Sequence, residues 1–168
     1  MIETLPVTEI RVKVADYAVG GGRDEQTLTT IGLGSCVAIM LYDAVARVGG
    51  LAHVLLPSES MARDRSNPAK FPTSAVALML AEMTRLGADA RRVSAKLVGG
   101  ASMFASLMPA AGINIGERNV AAARQALAER GVPIVAEDVG SDHGRSVYFR
   151  LQDGRVEVRS LKKGNRVI

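Results

Sequence analysis

Apolar positions recur with the spacing of β-strands along most of the chain and with the spacing of helices in two segments. In residues 9–19, EIRVKVADYAV, Ile10, Val12 and Val14 alternate with charged side chains, which predicts one half-exposed strand. Apolar runs bounded by turn-forming residues predict further extended segments at 27–35, 36–42, 47–57, 93–101, 132–140, 145–151 and 155–161. Asp153-Gly154 joins the last two segments and is a strong β-hairpin signal.

Two segments have the apolar spacing of amphipathic helices. The first is 74–89, with Ser74 as the predicted N-cap and Gly87 as the terminating residue. Its predicted buried stripe consists of Val76, Met79, Leu80, Met83 and Leu86. The second, 117–131, ends at Gly131, and its predicted inward residues are Val120, Ala123 and Leu127. Because strands outnumber helices and several are hairpin neighbours, we predict an α+β fold in which helices flank mixed, largely antiparallel β-sheets.

The length and the cysteine content of the chain indicate a single domain in a reducing compartment. The 168 residues fit a single domain over 1–168, since there is neither an internal repeat nor a linker-like change of composition. A polar loop at 58–74 is longer than a simple connection requires and indicates a mobile or functional segment. Cys36 is the only cysteine, which fits a reducing compartment. Because the first residues lack a signal-peptide pattern, we expect a cytoplasmic protein.

Membrane insertion and nucleic-acid binding are both disfavoured. Segments 26–42 and 97–116 carry no charged side chain, but the second contains glycines, a proline and an asparagine, which suit a lipid-facing helix poorly. Both are therefore predicted to form buried strands and loops. The formal net charge is +4, yet the basic residues are scattered and no aromatic residues lie among them. A mildly basic surface is equally suited to an acidic protein partner.

The chemistry-bearing candidates are Cys36 and His53. If the two apolar runs around them pair as an antiparallel hairpin closed by a loop at 43–46, Cys36 lies directly opposite His53. Opposed side chains share one face with Cβ atoms about 4.5–5.5 Å apart, close enough for a thiol–imidazole hydrogen bond. An imidazole can take the thiol proton and produce a nucleophile for a carbonyl carbon. Backbone N–H groups near Gly34 and Ser35 could hold the resulting oxyanion.

Both candidates also have an ordinary structural interpretation. Most free cysteines are small buried core residues, and a strand histidine is often satisfied by a backbone carbonyl. The hairpin register brings the two interpretations of Cys36, inert core thiol and nucleophile, to about equal weight. On the residues alone, both stay open.

Five motifs occur in a fixed order along the chain: GLGSC, GGLAHVLLP, KLVGGASMF, IGERN and HGRSVYF. Together they resemble the CheD family of chemoreceptor glutamine deamidases, from about Val14 to the C-terminal strands. The resemblance implies a cysteine hydrolase related in fold to the catalytic domain of cytotoxic necrotizing factor. It also implies that glutamine side chains in the cytoplasmic helical region of methyl-accepting chemotaxis receptors are converted to glutamate.

The resemblance implies a role for three residues of this chain. Cys36 matches the family's nucleophile, His53 its general base, and Thr30 the threonine that completes the triad. It further implies binding to, and stimulation of, a CheC-type phosphatase. The expected chemistry requires no metal and no organic cofactor. Within IGERN, Arg118 and Asn119 are predicted to cap a helix or lie on the surface rather than line the site.

Two other function classes compete with a receptor deamidase. One is a non-catalytic chemotaxis module that acts only by docking to partners. The other is a general cysteine hydrolase or transglutaminase-like enzyme that uses a different acyl donor. Substitution of Cys36 should abolish ammonia release by a deamidase but leave a docking module unaffected. Addition of a primary amine should give a cross-linked product only with a transglutaminase-like enzyme.

Overall fold

The computed structural model of the protein describes residues 8–21, 23, 25–103 and 114–168. These residues form ten strands and two α-helices. The strands are β1 (Thr8–Arg11), β2 (Tyr17–Gly21), β3 (Gln26–Leu33), β4 (Val37–Asp43), β5 (Val48–Val54), β6 (Ser94–Gly99), β7 (Ile134–Val139), β8 (Arg145–Arg150), β9 (Val156–Ser160) and β10 (Gly164–Val167). The helices are α1 (Pro72–Arg85) and α2 (Ile115–Glu129). The predicted α+β class is confirmed.

The strands form two sheets of five. Sheet A has the order β1-β3-β8-β9-β10, and sheet B has the order β2-β5-β4-β6-β7. The pairs β1–β3 and β6–β7 are parallel, and all other pairs in the two sheets are antiparallel. Both sheets are therefore mixed and largely antiparallel, as the sequence predicts.

Sheet B is the middle layer, because one of its faces packs on the helices and the other on sheet A. Along β4, Val37, Ile39 and Leu41 join the cluster that contains the helix residues. Ala38 and Met40 point the other way, into the cluster that sheet A shares. Strands buried on both faces have no polar side, which explains why β4 and β5 appear in the sequence as unbroken apolar runs.

The first helix differs from the prediction at its start and in one residue of its buried stripe, but not in its terminating glycine. It begins at Pro72, not after Ser74, because proline fits the first turn, where a backbone N–H is not needed. The Ser74 hydroxyl donates to the carbonyl oxygen of Pro68, so its predicted N-cap role is wrong. Gly87 adopts a left-handed φ of 102° just after the helix, as expected of a terminating glycine. Leu86 is 55% exposed, so its place in the buried stripe was also wrong.

The second helix starts earlier than predicted. Asn114 is its N-cap, and the side-chain oxygen accepts a hydrogen bond from the N–H of Glu117 at 3.0 Å. The helix ends before Gly131, which has a left-handed φ of 67°. Its predicted inward residues are confirmed as buried: Val120, Ala123 and Leu127.

The predicted single strand at 9–19 is two strands in different sheets. β1 pairs with β3 in sheet A, whereas β2 pairs with β5 in sheet B. The chain crosses between the sheets at residues 12–16, where Ala15 adopts a φ of 60° and Val14 is 52% exposed. The alternation of side chains therefore continues past the point where the strand ends.

No helix among the described residues has the length and apolar character needed to cross a bilayer. Of the uncharged segment 97–116, residues 104–113 lie outside the described part of the chain. Its residues 97–99 belong to β6, a buried strand of sheet B as predicted, whereas residues 115–116 begin α2, which the expectation of strands and loops did not include.

Candidate active site

His53 lies on β5, between β2 and β4 in sheet B. Strand alternation places its side chain on the side of Leu51, toward sheet A, while Ala52 and Val54 face the helices. The residue is fully buried. Its Nδ1 atom lies 2.6 Å from the hydroxyl oxygen of Thr30 on β3 of sheet A, so the contact spans the two sheets. Its Nε2 atom has no hydrogen-bond partner among the described residues.

Thr30 determines which imidazole nitrogen carries the proton. Its hydroxyl lies 2.8 Å from the carbonyl oxygen of Val12 and 2.6 Å from Nδ1 of His53. A carbonyl oxygen can only accept, so the single hydroxyl proton is donated to Val12. The hydroxyl oxygen then accepts from the Nδ1–H of His53. The neutral imidazole therefore carries its proton on Nδ1, and the lone pair of Nε2 is available as a base.

Residues 12–16, where the chain crosses between the sheets, are hydrogen-bonded both to the strand of Thr30 and to His53. The Val12 N–H donates to the carbonyl oxygen of Thr29 at 2.7 Å, next to Thr30. The N–H of Ala15 donates to the His53 carbonyl oxygen at 2.9 Å, and the His53 N–H donates to the Asp16 carbonyl oxygen at 3.0 Å. The break in the predicted N-terminal strand is thus the feature that fixes Thr30 and His53 relative to each other.

Cys36 lies immediately before β4, and its predicted register with His53 was wrong by two residues. Ala38, not Cys36, is directly opposite His53, and the ladder closes at Asp43 opposite Val48. The closing loop is 44–47 instead of 43–46. The reason lies in the turn: the Asp43 carboxylate accepts hydrogen bonds from the N–H groups of Val45 and Ala46. Because the turn lies one residue later in the chain, each residue of β5 is opposite a β4 residue two positions further along than predicted.

A shift of two positions leaves each side chain on its predicted face. Cys36 packs against the cluster between the sheets, which contains Ala38 and Leu51 and lies on the side to which His53 points. The thiol is therefore diagonal to the imidazole instead of opposite it, and the expected hydrogen bond between them is not formed, since Nε2 of His53 has no partner among the described residues. The structure brings Cys36, His53 and Thr30 to the same side of sheet B.

Carbonyl groups of the turn before Cys36 accept hydrogen bonds from the segment that follows β6. The Ala101 N–H donates to the carbonyl oxygen of Gly34 at 2.9 Å, and the Gly100 N–H donates to that of Cys36 at 2.8 Å. Gly34, Ser35 and Cys36 are all partly exposed. Within the described ranges, their own N–H groups donate to no carbonyl oxygen. The turn therefore presents backbone donors beside the thiol, in the segment where the sequence predicts them.

Burial keeps both Cys36 and His53 uncharged at neutral pH. Desolvation raises the pKa of the Cys36 thiol, and the hydrogen bond from its own backbone N–H only partly opposes this. Desolvation also lowers the pKa of the His53 imidazole to about 4. The resting pair is thus a thiol beside a neutral imidazole, not a thiolate–imidazolium ion pair.

Asn119 is a site residue that sequence reasoning missed. The favoured prediction of a capping or surface role was wrong, since Asn119 is fully buried and donates to the carbonyl oxygen of Ser35 at 2.9 Å. Asn114 takes the capping role instead. Val12 was likewise assigned only to a strand face, because no local pattern reveals that its carbonyl oxygen contacts Thr30. Arg118 is exposed, as predicted.

His143 is the second histidine of the chain. It lies between β7 and β8 but is only 8% exposed, and its Nδ1 atom has no hydrogen-bond partner in the described ranges. The neighbouring Arg145 is buried and pairs with Asp138 at 3.0 Å. Across the described residues, no group of three His, Cys, Asp or Glu side chains is arranged to hold a metal ion.

Comparison with solved structures supports the fold. A DUF152 protein from Neisseria meningitidis aligns with a TM-score of 0.52 at 13% sequence identity, covering 81% of this chain and 65% of that one. At this identity the likeness concerns the fold alone. It agrees with the α+β architecture of two packed sheets and flanking helices.

Comparison with sequences is more specific. The family model described as CheD chemotactic sensory transduction matches residues 55–160. A protein of Caldanaerobacter subterraneus subsp. tengcongensis is 44% identical, covering 95% of this chain and 97% of its own length. A Pyrococcus abyssi protein is 46% identical, with coverages of 93% and 94%. Both relatives bear the name "Probable chemoreceptor glutamine deamidase CheD". By these matches, the chain belongs to the CheD family.

Proposed function

We propose that this protein is a protein-glutamine amidohydrolase that converts glutamine side chains of methyl-accepting chemotaxis receptors to glutamate. Cys36 is the nucleophile, His53 the general base and Thr30 the residue that orients the imidazole. The observation that carries the proposal is the Thr30–His53 contact of 2.6 Å, which leaves Nε2 unprotonated on the side of the sheet where Cys36 lies. The names of the relatives support the substrate class.

The first half of the reaction forms a thioester. Nε2 of His53 accepts the Cys36 proton as the sulfur attacks the glutamine Cδ atom, and the carbonyl oxygen becomes an oxyanion. Since the resting pair is neutral, proton transfer accompanies the attack. Backbone N–H groups of the turn at Gly34, Ser35 and Cys36 hold the oxyanion. As the tetrahedral intermediate collapses, the carbon–nitrogen bond breaks, and the imidazolium gives its proton to the amine, which leaves as ammonia.

The second half returns the enzyme to its starting state. Nε2 of His53 takes a proton from water, whose oxygen attacks the γ-glutamyl thioester. Collapse of this intermediate breaks the carbon–sulfur bond and produces the glutamate side chain. The imidazolium proton returns to the Cys36 sulfur. Throughout, Nδ1 stays hydrogen-bonded to Thr30, which keeps Nε2 aimed at the reacting atoms, the role of the carboxylate in Ser–His–Asp triads.

Charge supports an acidic helical partner for this site. The chain carries a formal net charge of +4, which favours encounter with an acidic receptor helix by long-range attraction. On the basis of the family resemblance, we further propose that a CheC-type phosphatase docks to this protein and is stimulated by it. Catalysis by a free thiol also fits the reducing cytoplasm.

The experiment is mass spectrometry of a receptor cytoplasmic fragment incubated with the protein or with its Cys36→Ala variant. We expect conversion of one or more glutamines to glutamate with the unmodified protein and none with the variant. If Cys36→Ala converts glutamine at the normal rate, the proposed mechanism is wrong. If neither protein converts glutamine but both bind the fragment, the protein is a docking module. A product cross-linked to an added primary amine would indicate a transferase.

A further inference from the structure

Asn119 is a buried polar residue that the mechanism above does not use. It lies near the N-terminal end of α2 and is fully buried. Its Nδ2 atom donates to two backbone carbonyl oxygens, those of Ser35 at 2.9 Å and Leu55 at 3.2 Å. Ser35 directly precedes the proposed nucleophile, and Leu55 follows the proposed base by two residues. One amide group therefore joins the two segments that carry the reacting side chains.

Helix α2 packs unusually closely on residues 100–101, which are hydrogen-bonded to the turn before Cys36. A Cβ atom on Gly116 would collide with the backbone oxygens of Gly100 and Ala101, so only glycine allows α2 to pack there. Gly100 and Ala101 in turn donate to the carbonyl oxygens of Cys36 and Gly34. The start of α2 and the turn before Cys36 are thus parts of one packed unit, and Asn119 reaches Ser35 from within it.

Asn119 uses its amide nitrogen for two hydrogen bonds, but its amide oxygen makes none within the described part of the chain. The Oδ1 atom of Asn119 is buried without a partner among the described residues. An apolar residue of similar size would remove that unpaired acceptor, but it would leave the carbonyls of Ser35 and Leu55 without this donor. Packing alone therefore does not account for an asparagine here.

We propose that Asn119 is a positioning residue for deamidation, which rests on the function proposed above. The peptide bond between Ser35 and Cys36 is trans, so its C=O and N–H groups point in opposite directions. By holding the Ser35 carbonyl on the α2 side, Asn119 keeps the Cys36 N–H directed away from the helix. That N–H is one of the proposed oxyanion donors, and it adjoins the sulfur.

The test compares two reactions of the same thiol in Asn119→Ala. Deamidation forms an oxyanion, whereas alkylation by iodoacetamide is a direct displacement that needs none. His53 keeps its own backbone hydrogen bonds to Ala15 and Asp16 when Asn119 is replaced, so the base that activates the thiol should stay in place. We expect kcat for receptor deamidation to fall at least about tenfold with little change in KM. The rate of Cys36 alkylation and its pH profile should stay near the unsubstituted values.

Asn114→Ala is the matched control, because it removes the N-cap of the same helix without touching Ser35. It should lower thermal stability yet leave both reactions intact. Should Asn119→Ala fail to fold, Asn119→Asp keeps the side-chain shape, cannot donate two hydrogen bonds, and should show the same selective fall in kcat. The proposal is overturned if folded Asn119 variants deamidate at the unsubstituted rate. It is also overturned if deamidation and alkylation fall together, or if neither variant folds, since Asn119 would then be purely structural.

Cys36→Ala, assayed in parallel, separates this proposal from the function on which it rests. An active Cys36→Ala variant would refute the proposed function itself. An inactive Cys36→Ala together with fully active Asn119 variants would refute only the positioning role.

Discussion

The hydroxyl of Thr30 lies 2.6 Å from Nδ1 of His53, although the two residues belong to different sheets. The same hydroxyl donates to the Val12 carbonyl oxygen, which makes it an acceptor toward His53. A chain of three groups, carbonyl, hydroxyl and imidazole, thereby fixes the tautomer and the orientation of the proposed base.

Removal of the Thr30 hydroxyl should impair catalysis while the shape of the site stays nearly the same. Thr30→Val keeps the volume but leaves Nδ1 of His53 and the Val12 carbonyl without their shared partner. We expect a loss of about 1–3 kcal/mol in the free energy of unfolding. We also expect a fall in kcat on the order of 100-fold, because the imidazole is no longer held. Unfolding curves and deamidation kinetics measure the two effects.

Thr30→Ser is the control for that substitution, since it restores the hydroxyl and should recover most of the activity. Nitrogen NMR of labelled histidine adds an independent readout, because the chain has only two histidines. His53 should show a protonated Nδ1 and an unprotonated Nε2 at neutral pH. A neutral imidazole protonated at Nε2 would contradict the assigned chain of hydrogen bonds.

Burial of His53 should make the protein less stable as the solution becomes acidic. The pKa of this imidazole is lowered to about 4, whereas an unfolded histidine has a pKa of about 6.5. Between these values the unfolded chain binds the proton and the folded chain does not. The stabilisation is therefore complete above pH ~6.5 and is lost as the pH falls through ~4, with a magnitude of about 3 kcal/mol.

Denaturant unfolding at several pH values checks this dependence, with His53→Gln as the comparison. The variant cannot titrate at this position, so its free energy of unfolding should decline less between pH ~6.5 and ~4. Parallel declines in the two proteins would show that the burial of His53 does not govern acid stability in this range.

Gly99 should be far less tolerant of alanine than another glycine with a left-handed backbone. It has a φ of 114°, and an added Cβ atom would collide with the Cys36 carbonyl oxygen. Gly131 has a φ of 67°, but nothing lies within 4 Å of its added Cβ atom. We expect Gly131→Ala to cost about 1–2 kcal/mol from backbone strain alone, with normal activity.

For Gly99→Ala we expect a cost of at least about 3 kcal/mol, because the strain and the collision combine. Any folded fraction should deamidate slowly, since the collision displaces the segment that carries the nucleophile. Equal stability losses in the two variants would indicate that the turn at Cys36 moves freely to accept the methyl group.

The face on which Cys36 lies could be predicted from the sequence, but its register could not. Periodicity and the hairpin assumption assign Cys36 and His53 to one side of a sheet, and the structure agrees on the side. The exact pairing depends on whether the loop begins at Asp43 or one residue later. That choice is decided by hydrogen bonds from Val45 and Ala46 to the Asp43 carboxylate, which periodicity does not reveal.

Other features depend on contacts between distant parts of the chain. The alternation through Val12 and Val14 gives no sign that the strand ends there and passes to the other sheet. Asn119 lies 84 residues from Ser35, so no local pattern links them. Strand β10 was not predicted, because all four of its residues are exposed and it has no buried face. Within sheet A it pairs with β9, and its Arg166 lies 3.6 Å from the Asp138 carboxylate.

The most direct test of Cys36 as the nucleophile is a titration of its thiol against activity. Since the chain has a single cysteine, intact-mass measurement gives the alkylated fraction without ambiguity. Samples taken during alkylation with iodoacetamide are assayed for release of ammonia from a receptor fragment. The account predicts that the remaining deamidase rate equals the unalkylated fraction at every point and reaches zero at full modification. Fully alkylated, folded protein that still deamidates the receptor would contradict it.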